Sequence, residues 1–214
     1  KIKNNILLLD LKPTIYQIAL LILLPLLKLT GLYNFFGRVY RIGLKNTLVR
    51  NFTEFSGIPI PNYTFIDNQI SIGMQHKYLG KLVLKLFNHN AILNLRSEFD
   101  DEKRFLNLKF YKQIKLDEFK APSINQLMEG SEFINDVIKN NGRIYIHCRE
   151  GVSRAPLFAC SYLIRYRGLG VQESINYIKR KRIFINILPC QLHILNKFYS
   201  YSKSINVNTK VSYK

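Results

Sequence analysis

Cys148 and Arg154 stand six positions apart in HCREGVSRAP, residues 147–156, between the apolar run RIYI and the helical run LFACSYLIRY. A loop that leaves a strand and opens a helix turns backbone N–H groups into one concavity, and the helix N-terminus adds partial positive charge. Such a loop holds anions. A cysteine at its base is biased toward the thiolate by those groups and by the arginine, and a thiolate can attack phosphorus at neutral pH. Arg154 can return across the loop and bind two phosphoryl oxygens with its planar fork, which lysine cannot do, and can stabilise the transferring group. The expected phosphate cradle is Arg149, Glu150, Gly151, Val152, Ser153 and Arg154. Gly151 serves a tight turn, Ser153 is placed to hydrogen-bond near the sulfur or within the loop, and Pro156 suits a first helical turn. Glu150 would repel a phosphate, so it is expected to point away and pair with a basic neighbour such as Arg149. The competing reading of Cys148 is an inert core cysteine, which the combination of strand, loop, glycine, arginine and helix argues against.

HCREGVSR resembles the signature of dual-specificity phosphatases in the protein tyrosine phosphatase superfamily. AILNLRSEFDDE, KFYKQIKLDEFKAPS and the helix before RIYIHC are similar in order and spacing, especially to phosphatidylglycerophosphate phosphatase-like and bacterial membrane-linked members. The resemblance covers Tyr63 to Tyr199. It implies phosphate monoester hydrolysis through a phosphocysteine, with no cofactor. It also implies that Asp117 is the general acid on a separate loop, with Glu118 as fallback, and that His147 orients the loop and tunes the cysteine. Asp117 opening a plain turn is the alternative. One departure stands out: the residue after the loop arginine is commonly Ser or Thr in this family, where the hydroxyl helps the cysteine leave. Here it is Ala155, which implies slower breakdown of the intermediate.

The elements that must position these residues follow from periodicity. Tyr63 to Ile66 and Ile70 to Ile72 read as a strand pair around Asp67-Asn68. Tyr78 to Phe87 reads as an amphipathic helix, and Ala91 to Arg96 and Phe110 to Leu116 as strands. A helix begins at Ser123, its N-cap after Pro122. Arg143 to Cys148 is the last strand, followed by helices from Arg154 to Tyr166, Val171 to Lys181 and Pro189 to Tyr199. Strands alternating with helices predict an α/β fold with a central, mostly parallel sheet flanked by helices, a protein tyrosine phosphatase-like architecture, plus an apolar N-terminal helical extension. The tail from Ser200 is polar and basic, and little order is expected there.

The excess of 32 Lys and Arg over 14 Asp and Glu, +18 in 214 residues, favours anionic partners: a phosphorylated lipid or phosphoprotein substrate and an anionic membrane surface. No aromatic pattern specific to nucleic acid is present. Ile15 to Leu27 is apolar and, with Lys28 tolerated, the character runs on to Phe36. The region 1–37 is therefore expected to attach to a membrane, with a buried or oligomer-forming helix as alternative, and 38–62 to be a connector to the domain 63–199. Cys148, Cys160 and Cys190 are too few and too dispersed for a disulfide scaffold, so a reducing compartment is expected, membrane-associated on its cytoplasmic side or soluble. Cys160 is expected to be a buried helical cysteine. His76, His89 and His193 show no ligand spacing, and no metal is expected.

Overall fold

The computed structural model describes Leu48 and residues 63–76, 78–101, 108–182 and 184–211. Leu48 apart, these lie in the unit Arg50–Lys214. The apolar segment at 15–36 and most of the connector fall outside the described residues.

Five strands form one sheet in the order β1-β2-β5-β3-β4: β1 Tyr63–Phe65, β2 Ile70–Met74, β3 Ala91–Asn94, β4 Phe110–Gln113 and β5 Ile144–Cys148. Only β1 and β2 pair antiparallel; β5 runs parallel to β2 on one side and to β3 on the other. The β1–β2 turn forms where Asp67-Asn68 predicts it, because Asp67 Oδ1 accepts from the N–H groups of Gln69 and Ile70 at 2.8 Å each. β3 and β4 stop two or three residues short of the expected ends. Past β3 the Asn94 side chain takes over, accepting from Arg96 N–H at 3.0 Å, while Ile114 and Leu116 stay buried beyond β4.

The helices are α1 Tyr78–Leu86, α2 Ile124–Lys139, α3 Arg154–Arg167, α4 Val171–Lys181 and α5 Pro189–Val211. The N-cap expected at Ser123 is present and extends to a capping box, with Ser123 Oγ accepting from Gln126 N–H and Gln126 Oε1 from Ser123 N–H. Gly168, at φ 72°, ends α3 in the left-handed conformation. α5 continues through Val211, against the expectation of little order from Ser200. No Gly or Pro follows Tyr199 to stop the helix, and Ser202 is buried.

Alternation along β5 divides the core. Ile144, Ile146 and Cys148 face the large cluster built with α2 to α5, whereas Tyr145 faces a smaller one with Tyr63, Leu84 of α1 and Ile92. α3 is buried at every position from Arg154 to Ile164, which is why its sequence carries so weak an amphipathic pattern. It starts directly after the loop at the carboxyl end of the central strand, the place where open parallel sheets hold ligands.

α2 and α3 meet at Gly130. A Cβ there would stand 2.3 Å from Cδ1 of the fully buried Phe158, so a larger residue must displace an interior ring. Gly130→Val is expected to lower the unfolding free energy by about 1–3 kcal/mol, measured by urea denaturation; undiminished stability would show that the two helices tolerate separation.

Candidate active site

β5 delivers Cys148 to the base of the loop, where it is 2% exposed and its Sγ accepts a hydrogen bond from Gly151 N–H at 3.2 Å. Gly151 has φ 65°, and a Cβ on it would lie 2.3 Å from the carbonyl carbon of Gly73 in β2. Only glycine satisfies both the dihedral and the contact, as the tight-turn expectation requires. Behind the loop, Arg182, 1% exposed, donates from Nε to Gly151 O at 2.8 Å and from Nη1 to Thr64 Oγ1 at 2.9 Å. Asn186 N–H donates to Val152 O at 2.8 Å. A trans peptide points its C=O and the following N–H in opposite directions. These bonds therefore turn the N–H groups of Val152 and Ser153 away from Arg182 and Asn186.

Ser153 departs from expectation. It is the N-cap residue of α3, yet its hydroxyl neither caps the helix nor bonds the sulfur; it donates to Gln191 Oε1 at 2.6 Å. Arg154, 3% exposed, donates from Nη1 to Leu116 O at 2.7 Å and to Leu95 O at 3.2 Å, with Glu98 Oε2 at 3.5 Å. The arginine thus joins the start of α3 to the segments that follow β3 and β4. Burial alone would raise the pKa of Glu98. Its own backbone N–H, Arg154 and Arg96 outweigh that and bring it down to about 2, so Glu98 stands as a carboxylate beside the guanidinium.

Asp117 follows Leu116 directly, so the bond from Arg154 to Leu116 O brings its segment to the arginine. The Asp117 carboxylate is exposed and held by Lys120 Nζ and Ser97 Oγ, both at 2.8 Å. These two donors, the Lys120 bond foremost, keep it below the usual carboxylate range. The expected pairing of Arg149 with Glu150 is replaced by a 2.9 Å bond from Arg149 Nη1 to Glu118 Oε2. Glu150 adds a coulombic attraction to the same guanidinium. Glu118 thereby serves as a tether between the two loops. Cys160 is buried in α3 as expected, and burial pushes its thiol up to about 12.

His147 points to the opposite face of the sheet from Cys148 and is fully buried, stacked on Tyr145. Its Nε2–H donates to Asp101 Oδ2 at 2.8 Å, and His76 Nε2 lies 3.9 Å from the other carboxylate oxygen. Burial would raise Asp101, but the bond from His147 prevails and holds it low. Burial, then His147, pushes His76 down to about 3. Sequence spacing could not reveal this group, since its members come from three separate segments. Its donor atoms lie within 4.8 Å of one another, and the His147–Asp101 hydrogen bond joins two of its three members. Arg182 and Gln191 are likewise site residues that no local pattern announced.

A carboxylate whose pKa is lower folded than unfolded contributes stability that is complete above its unfolded pKa and disappears as pH falls through the folded one. Asp101→Asn is therefore expected to cost about 1–2 kcal/mol at pH 7. The gap from wild type should narrow below about pH 4, read from urea denaturation at a series of pH values. A gap that widens toward acid would mean that the carboxylate is not held ionised.

Residues 72–201 match the family described as the dual specificity phosphatase catalytic domain. Human dual specificity protein phosphatase 16 is 25% identical over 175 residues, 78% of this chain and 25% of that protein. Human phosphatidylglycerophosphatase and protein-tyrosine phosphatase 1 is 24% identical over 148 residues, 64% of this chain and 73% of that one. The chain thus spans a quarter of the first relative and nearly three quarters of the second. The crystal structure of PTPMT1 in complex with PI(5)P superposes with a TM-score of 0.62 at 21% identity, covering 68% of this chain and 99% of that one; at that identity the likeness is one of fold. With a loop of this geometry at the end of its central strand, the chain belongs to the dual-specificity phosphatase family.

Proposed function

We propose that this protein hydrolyses phosphate monoesters through a phosphocysteine formed on Cys148. The reading rests on one observation above all: the Gly151 N–H meets Cys148 Sγ at 3.2 Å at the mouth of the central parallel strand, directly before the helix that carries Arg154. In the first step the thiolate attacks phosphorus, the S–P bond forms, the ester P–O bond breaks, and protonated Asp117 gives its proton to the leaving oxygen. Arg154 and the loop N–H groups bind the non-bridging oxygens and the charge that gathers on them. In the second step water attacks phosphorus, the Asp117 carboxylate takes the water's proton, and the thiolate leaves with inorganic phosphate released.

Lys120 and Ser97 favour the carboxylate form of Asp117, which suits the second step. A dianionic ester in the cradle opposes the pull of Lys120 and raises the protonated fraction that the first step needs. Ala155 is fully buried in the main core cluster, so no hydroxyl follows Arg154 to assist the departing sulfur. The second step is accordingly the slow one.

The proposed substrate is a phospholipid headgroup, a phosphatidylglycerophosphate or a phosphoinositide, presented at an anionic surface. The net charge of +18 supports this, as do the phosphatidylglycerophosphatase among its relatives and the PI(5)P-bound structure that shares its fold. Among the described residues no helix is long and apolar enough to cross a membrane, and the apolar segment expected to provide attachment lies outside them. A phosphoprotein substrate is the second reading, favoured by a loop that carries Glu150 and no lysine. A catalytically weak phosphate-binding protein fits Ala155 but has no need of a nucleophile at Cys148 or an acid at Asp117. The three cysteines are free, in keeping with a reducing compartment.

Hydrolysis of p-nitrophenyl phosphate in the presence of a chelator, abolished by Cys148→Ser, is the expected result; full activity in that variant would remove the proposed nucleophile. Phosphatidylglycerophosphate, phosphoinositides and phosphopeptides assayed side by side in mixed micelles should favour the lipids, and faster turnover of soluble phosphopeptides would transfer the proposal to proteins. In stopped-flow experiments the wild type should show a burst of nitrophenol, and Ala155→Ser should accelerate the steady phase severalfold, well below the roughly 10²–10⁴-fold that a positioned proton-transfer group provides. An unchanged steady phase would place the slow step elsewhere.

A further inference from the structure

Gln191 is the third residue of α5, which starts with Pro189. Its Oε1 accepts from Leu188 N–H at 3.2 Å, the backward half of a capping box. That role alone would leave the carboxamide at the surface with capacity to spare. Instead Gln191 is fully buried. The same Oε1 accepts from Ser153 Oγ at 2.6 Å, and Nε2 donates to Lys120 O at 3.1 Å. One carboxamide therefore spans two segments that meet nowhere in the sequence: the end of the phosphate loop, and the turn whose Lys120 holds Asp117.

Two consequences follow from the chemistry of the bonds. Ser153 occupies the N-cap position of α3, where a serine ordinarily satisfies an N–H of the first turn. Its hydroxyl is held on Gln191 Oε1 and makes no side-chain cap on α3, so the first N–H groups of the helix are not taken by it. At the other end, Lys120 N–H closes the turn onto Asp117 O at 3.4 Å and Lys120 Nζ bonds the Asp117 carboxylate. Anchoring Lys120 O therefore fixes the turn that presents the acid. A carboxamide buried with its bonds satisfied resists displacement, because a vacated bond leaves an unsatisfied polar group in the interior.

We propose that Gln191 is a positioning residue that holds the Asp117 turn in register with the phosphate loop, so that the proton donor meets the leaving oxygen of an ester bound on Cys148. The inference rests on the phosphatase reading and adds to it a residue outside both loops. It makes a specific demand on kinetics. Protonation of the leaving group matters for a poor leaving group such as phenolate and little for nitrophenolate, so loss of register must appear selectively.

Gln191→Met keeps the length and apolar volume and removes all three bonds. On phenyl phosphate its kcat is expected to fall roughly tenfold more than on p-nitrophenyl phosphate, a fraction of what a general acid contributes, with KM within about twofold of wild type. In an Asp117→Asn background the substitution should produce no further selective loss. Ser153→Ala, which cuts only the phosphate-loop arm, should show the same selectivity to a smaller degree and decides the matter should Gln191→Met not fold. Equal losses on both substrates with a raised KM would overturn the inference, leaving Gln191 a support of the phosphate loop alone. Inactivity of the wild-type chain on both substrates would instead overturn the phosphatase reading, and the inference with it.

Discussion

The backbone of Gly151 lies so close to that of Gly73 that no side chain fits between them, and the rest of the site depends on that contact. It presses the loop onto β2 at the level where β2 pairs with the end of β5, Met74 lying opposite Cys148. The loop can then turn Gly151 N–H to the sulfur while its carbonyl meets Arg182. Any Cβ would have to push the loop off the sheet and would also face a positive φ, two penalties that no compensating contact in the surroundings relieves. From that fixed point the chain has one short stretch, Val152 and Ser153, in which to reach the start of α3.

The loop is held by polar groups drawn from far along the chain. Arg182 reaches it from the end of α4, Asn186 from the connection that follows, and Gln191 from α5, while Arg154 reaches outward to the carbonyls of Leu95 and Leu116. Buried cations are costly unless their donors are matched. Arg154 meets two carbonyls and a carboxylate, and Arg182 meets a carbonyl and a hydroxyl while lying 4.2 Å over the Phe184 ring. The same bonds that satisfy these cations connect the loop and the start of α3 to β1 and to the segments that follow β3 and β4. Satisfying buried charge and assembling the site are one requirement here.

How much of this was legible in the sequence depended on the range of the interactions concerned. The strand, the glycine turn, the helix start and the Ser123 cap are set by neighbours within a few residues, and they stand where the pattern puts them. The family resemblance extended that reading to the Asp117 segment. Asp101, Arg182 and Gln191 act across 31 or more positions, Asp101 on His147 46 residues away, and nothing near them in the chain marks them out. Ser153 belongs with them: its hydroxyl is oriented by Gln191 Oε1, 38 residues away, and bonds neither the sulfur nor the loop. So does Arg149, since Glu118 lies within reach only after folding. The end of α5 differs in kind, because a polar, basic composition signals solvation and does not by itself stop a helix.

In the proposed reaction Asp117 must be an acid in one step and a base in the next, and its surroundings favour one of these forms. Lys120 and Ser97 stabilise the carboxylate, and both are themselves constrained: Ser97 by the turn after β3 whose Glu98 meets Arg154, Lys120 by the carbonyl that Gln191 holds. The group that can shift this balance is the substrate, whose two negative charges enter on the Arg154 side and oppose the lysine. Transfer of the phosphoryl group to sulfur leaves Asp117 a carboxylate while the charge stays in the cradle, and the acid form returns when that carboxylate takes the proton of the attacking water. The cycle of Asp117 is thereby coupled to occupancy of the loop, and Gln191, bonded to Ser153 and to Lys120 O, links the two.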